Sequence, residues 1–156
     1  MAHTHFSAIL LSALLLIPSA NAADFTGVGS WKGKGGKSSP KTDFTTFEII
    51  IEQSGPKTYQ MMLDVVHKTG EKGDQQFQII CDGKQQPFKL TGTNARSNRT
   101  AVCEQTSSSD LTIRQMENGK QVTQNKFTIS PDGKTMKYVL TESSDNQAYT
   151  FILKRQ

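Results

Sequence analysis

Little in this 156-residue chain supports chemistry by metal, thiol or imidazole. It has two cysteines, three histidines and one tryptophan. His3 and His5 precede an apolar N-terminal run, so His67 is the one histidine of residues 23–156. Zinc sites take three or four Cys, His or carboxylate ligands at short defined spacings, and one histidine with two distant cysteines does not supply them. There is no Gly-x-Ser-x-Gly elbow, and a lone histidine would have to serve any triad. Gly36-Lys37-Ser38 ends like a phosphate loop, but the pattern needs glycine where Trp31 stands, and Pro40 interrupts the helix that should follow. Glu48 and Glu52 share one strand face about 13 Å apart, too far for a glycosidase pair. No enzyme, metal site or cofactor is therefore expected.

Long apolar runs are also missing. Ala8–Ile17 is only ten residues, half of the about 20 that a membrane helix needs. Pro18-Ser19 ends it, and Ala20-Asn21-Ala22 is a small-x-small cleavage signal. Residues 1–22 read as a secretory signal peptide and 23–156 as a single domain, periplasmic or secreted, with no membrane span. In an exported chain the even pair Cys81 and Cys103 reads as a disulfide. Closing that loop should stabilise the fold by about 3 kcal/mol in the chain-entropy model.

What the sequence does have is turns and alternation. Ser54-Gly55-Pro56, Thr69-Gly70, Lys72-Gly73-Asp74, Asp82-Gly83, Asn118-Gly119, Pro131-Asp132-Gly133 and Ser143–Asn146 punctuate the chain at short intervals. Asn-Gly and Asp-Gly favour hairpins because both positions tolerate positive φ. Between them, apolar residues recur with period two: Phe47, Ile49 and Ile51; Tyr59, Met61, Leu63 and Val65; Phe77, Ile79 and Cys81; Leu111 and Ile113; Met136, Tyr138 and Leu140; Tyr149, Phe151 and Leu153. Phe88 and Leu90 read as a short strand begun by Pro87. The phase slips between Val122 and Phe127, which predicts a bulge near Gln124–Lys126. Gly33–Thr42 and Thr91–Asn98 read as longer loops. Nine or ten strands with one apolar face predict an all-β fold, a single antiparallel up-and-down β-barrel of about 8–10 strands, with a two-sheet sandwich as the competing arrangement.

Two features bear on binding. Lys32, Lys34, Lys37, Lys41, Arg96 and Arg99 gather in or beside the two loops, and would make an anion-attracting rim if both loops lie at one mouth. Nucleic acid would need aromatic rings among those charges; only Trp31 is near, so no nucleic-acid partner is expected. Tyr59, Met61, Phe77, Phe88 and Tyr138 sit on predicted inward faces, where they either fill a core or line a cavity for a small apolar ligand.

The segments Phe25–Lys32 (FTGVGSWK), Lys37-Ser38 and Ser130–Met136 (SPDGKTM) resemble a group of small exported bacterial proteins of lipocalin-like type. Gly29-x-Trp31 is similar to the first lipocalin motif. That resemblance implies that Gly29 and Trp31 close the barrel floor against a basic residue of the last strand, here Lys154 or Arg155. It also implies a non-enzymatic barrel that binds a small hydrophobic or amphipathic molecule. A cell-envelope interaction protein or enzyme inhibitor, acting through its loops, is the alternative. A barrel of the fatty-acid-binding type would need a helix pair after the first strand, where Gly33–Thr42 is a poor helix former.

Overall fold

The computed structural model describes residues 23–34, 44–93, 95–144 and 146–156. The expected signal peptide and most of the first glycine-lysine loop lie outside the described residues. Ten strands follow one another: β1 (Gly29–Lys34), β2 (Phe44–Gly55), β3 (Thr58–His67), β4 (Lys72–Ile80), β5 (Asp82–Gly92), β6 (Arg96–Gln105), β7 (Asp110–Glu117), β8 (Lys120–Ile129), β9 (Thr135–Glu142) and β10 (Gln147–Arg155). Each pairs antiparallel with its sequence neighbour, and β10 returns to β1, closing the barrel. Closure removes the free edge strands of an open sheet, although β4 and β5 part over much of their length. The sandwich alternative is thereby excluded.

The period-two pattern is realised as inward and outward faces. The inward apolar residues form one continuous core that includes Phe47, Ile49, Ile51, Leu63, Ile113, Phe127, Met136 and Phe151. The hairpin at Asn118-Gly119 has φ of 50° and 75°, the doubly positive pair of a type I′ turn. The disulfide Cys81–Cys103 is formed. Both of its residues are buried, and it ties the β4–β5 corner to the inner face of β6.

Several strand limits differ from those expected. The bulge in β8 falls at Val122, because Gln115 pairs with Thr123 and Met116 with Gln121. Asn125 therefore keeps step with Phe127 and Ile129 on the inner face. Lys72-Gly73-Asp74 is strand rather than turn, and the Thr91–Asn98 loop is mostly strand, since β5 runs to Gly92 and β6 starts at Arg96. Pro87 lies in the middle of β5. It is tolerated because β4 and β5 pair only at Gln75–Gly92 and Gln76–Thr91, so this part of β5 has no β4 partner to receive a ladder bond. Across the gap the Gln86 amide takes the place of a strand backbone, donating to Ile80 O (2.6 Å) and accepting from Ile80 N (3.0 Å). Inside it, the Phe77 and Phe88 rings meet at 5.0 Å.

Candidate functional site

The two ends of the barrel differ. One is sealed by residues 23–28, which cross it ahead of β1. Phe25 is buried there, edge-on to Tyr59 at 6.0 Å. The segment is pinned by Thr26 N to Ser108 O (2.7 Å) and by Gln105 Nε2 to Ala23 O (2.6 Å). Trp31 is fully buried behind it, and its indole N–H donates to Gly27 O at 2.8 Å. Of the two cations at the end of β10, Arg155 stands over the ring, its guanidinium carbon 4.3 Å from the ring centroid. The same guanidinium donates to Thr26 O (2.7 Å), Val28 O (2.9 Å) and Gly133 O (2.9 Å). Gly29 makes room for it. A Cβ at Gly29 would come within 2.9 Å of Arg155 Nη1, and its φ of +131° also disfavours any side chain.

At the other end stand the β3–β4, β5–β6, β7–β8 and β9–β10 connections. A cavity of about 250 Å³ opens among them. Its wall is apolar, built from Phe47, Leu63, Tyr138, Leu140 and Phe151, and its rim carries His67, Glu71, Lys72 and Asp74. Below it the rings stack: Phe47 on Phe151 at 4.7 Å and Phe127 on Tyr138 at 4.9 Å, with planes within 18°. A wider recess of about 610 Å³ lies beside it, edged by Arg99, Glu117, Lys120 and Thr123, and Glu142 borders both.

The inner rows turn polar as they rise from floor to mouth. On β7 the order is Leu111, Ile113, Gln115, Glu117; on β8 it is Ile129, Phe127, Asn125, Thr123; on β9 it is Met136, Tyr138, Leu140, Glu142. Gln115 and Asn125 are the buried polar residues of the barrel among the described residues. Arg99, across the ladder from Glu117, donates to Glu117 Oε2 (3.3 Å) and to Gln115 Oε1 (3.1 Å). Tyr138 donates its hydroxyl to Asn125 Oδ1 at 2.7 Å. Burial raises the Tyr138 pKa far above that of an ordinary tyrosine, and the Glu142 charge adds to the shift. The phenol is therefore neutral and able to donate.

Of the residues expected to line a lumen, Tyr138 lines this cavity. Tyr59, Met61, Phe77 and Phe88 are buried in the packed interior and are not among its lining residues. The basic rim takes a different form. Arg99 is drawn inward onto Glu117, Lys32 pairs with Glu48 at 3.5 Å on the outer face, and Lys37 and Lys41 lie outside the described residues. Sequence reading passed over Gln115, Asn125 and Glu142, although each continues an apolar inner row at the same parity. Among the described residues no group of three His, Cys, Asp or Glu could hold a metal ion, and no helix is long and apolar enough to cross a membrane.

No protein-family model matches the chain, and no curated protein matches it significantly. Solved structures do. A point mutant of the fluorescent protein UnaG superposes with a TM-score of 0.60 at 18% identity, over 84% of this chain and 96% of that one. The fold is a lipocalin-like barrel. Wild-type UnaG superposes at 0.54 with 21% identity, over 83% and 96% of the two chains. A biogenic amine-binding protein superposes at 0.46 with 8% identity, over 95% and 70%.

Proposed function

We propose that this is an exported, non-enzymatic barrel that takes the apolar part of a small amphipathic molecule into its open end. The observation that carries this reading is the pairing, among the described residues, of one sealed end with one open end whose inner rows grade from apolar to polar. A molecule entering at the mouth would lay its hydrophobic part against Phe47, Leu63, Leu140 and Phe151 and leave its polar part beside Glu142 and the rim residues His67, Glu71, Lys72 and Asp74. At about 250 Å³ the cavity falls just below the usual ligand-pocket range of about 300–1,000 Å³. It suits a small molecule or one end of a longer one. Export rests on the Ala8–Ile17 run with its Ala20-Asn21-Ala22 site, and the disulfide is consistent with an oxidising compartment.

The test uses N-phenyl-1-naphthylamine, a neutral apolar dye that brightens when shielded from water. The wild-type protein should bind about one equivalent. Leu140→Trp, which fills the cavity wall, should abolish the enhancement while leaving the melting temperature close to wild type. Absence of binding to the wild type, or equal binding by the variant, would sink the reading.

A further inference from the structure

The outer face of β8, β9 and β10 carries lysines and no carboxylate. Its residues meet in cross-strand rows: Gln124, Thr141 and Ala148; Lys126, Val139 and Thr150; Thr128, Lys137 and Ile152; and Thr135 with Lys154. The chain as a whole is nearly balanced, with 18 Lys and Arg against 14 Asp and Glu, so this face is a local segregation of charge. Lys126, Lys137 and Lys154 are exposed, and none of them forms an ion pair among the described residues. On β1, Lys32 lies directly across from Lys154, a like-charge pair that an overlying anion would relieve. Among these lysines stands Ile152, at 56% the most exposed large apolar side chain of the described residues.

The acids that border the face do not cover it. Glu48 pairs with Lys32 at 3.5 Å, beyond the β1 side. Asp110, beyond the β8 side, accepts from the Ser107, Ser109 and Thr128 hydroxyls. Asp132 accepts from Ser130 Oγ and Lys134 N within its own turn, and Glu142 stands at the mouth. The segments outside the described residues beyond position 34 carry Lys37 and Lys41 against Asp43 and Asp145, and so add no net charge. We propose that the β8–β9–β10 face docks the barrel side-on against an anionic lipid surface. Lysines are point charges on flexible stems, which suit a diffuse negative layer better than a bidentate contact. The rings of these strands, Phe127, Tyr138, Tyr149 and Phe151, are all buried. The face therefore has nothing to stack on a nucleic-acid base, and it lacks the aromatic and arginine anchors of a protein interface. This docking is independent of what the cavity holds.

The test is co-sedimentation with phosphatidylglycerol vesicles at low ionic strength, with phosphatidylcholine vesicles as the neutral counterpart. The wild type should sediment with the first and not the second, and should be released at about 1 M salt, where the Debye length falls to about 3 Å. A lysine held near an anionic surface strengthens attachment about fivefold, so Lys126→Gln, Lys137→Gln and Lys154→Gln combined should weaken it about a hundredfold. Lys57→Gln, Lys84→Gln and Lys89→Gln combined remove the same charge from elsewhere on the barrel and should stay within about fivefold of wild type. As a reading that needs no variant, bicelles containing phosphatidylglycerol should perturb the backbone amides of Lys137 and Ile152 in the ¹⁵N-labelled wild type more than those of Lys84 and Lys89. Failure to bind phosphatidylglycerol, equal binding to phosphatidylcholine, equal losses in the two triple variants, or unmoved Lys137 and Ile152 amides would overturn the proposal. So would binding to polyglutamate as tight as to the vesicles, which would make the partner an acidic protein.

Discussion

Removing the guanidinium that caps the only tryptophan should loosen one end of the barrel, and its size can be worked from the contacts. Arg155→Met keeps most of the apolar stem and deletes the charged fork. The cation over the Trp31 ring at 4.3 Å contributes about 0.5–2 kcal/mol. The three bonds to the carbonyls of Thr26, Val28 and Gly133 are solvent-exposed, so each is taken at the low end, about 0.5 kcal/mol. The total is about 2–3.5 kcal/mol, which for a domain of this size lowers the melting temperature by about 7–12 °C. Arg155→Lys retains a cation near the ring but supplies a point charge instead of a fork, and should lose roughly half as much. Circular dichroism melts give the stability change. Trp31 emission reports the local event: the ring is fully buried, and opening of the floor should move its emission to the red. Hydrogen exchange at Thr26 N, now bonded to Ser108 O at 2.7 Å, should speed up in step. A shift below about 2 °C for Arg155→Met, or Lys performing as well as Arg, would refute the clamp.

Cys81→Ser, or reduction of the wild-type protein, should cost about 3 kcal/mol by freeing the chain between Cys81 and Cys103; an unchanged urea midpoint on reduction would show the link contributes nothing. Asp110 accepts bonds from the Ser107, Ser109 and Thr128 hydroxyls, and these hold its pKa below the usual aspartate value, the Ser107 bond most strongly. A depressed folded pKa adds stability above the unfolded pKa of about 3.9, which is lost as the pH falls through the lower folded value. Asp110→Asn should therefore be less stable than wild type at pH 7, with the difference shrinking below about pH 4; a gap that stays constant to pH 2.5 would contradict this.

Much of the architecture was readable beforehand because period-two alternation and turn chemistry are local. Phe47, Ile49, Ile51 and Tyr59, Met61, Leu63 declared their inward faces, and Asn118-Gly119 declared its hairpin. The misplaced limits are those where a distant strand decides. Pro87 looked like a strand start because nothing local says that β4 and β5 part company beside it. Val122 carries the bulge because its partner row on β7 sets the count. Arg99 looked like a loop cation because its destination, Glu117, lies on the neighbouring strand.

The sequence alone determined a run of antiparallel hairpins with one apolar face, because residue spacing settles on which side of a strand a residue lies; the pairing of β1 with β10 then decided for a barrel over a sandwich. The disulfide was expected from an even cysteine pair in a chain read as exported, and a cation against Trp31 from the family resemblance. Only the tertiary structure decided how high along the barrel each inward residue sits. That height comes from the stagger of long-range pairings, which no local pattern encodes. It put Tyr59, Met61, Phe77 and Phe88 into the packed interior and Tyr138 beside the cavity. It also brought Arg99, Gln115, Glu117 and Asn125, from three different strands, into one neighbourhood of the barrel wall.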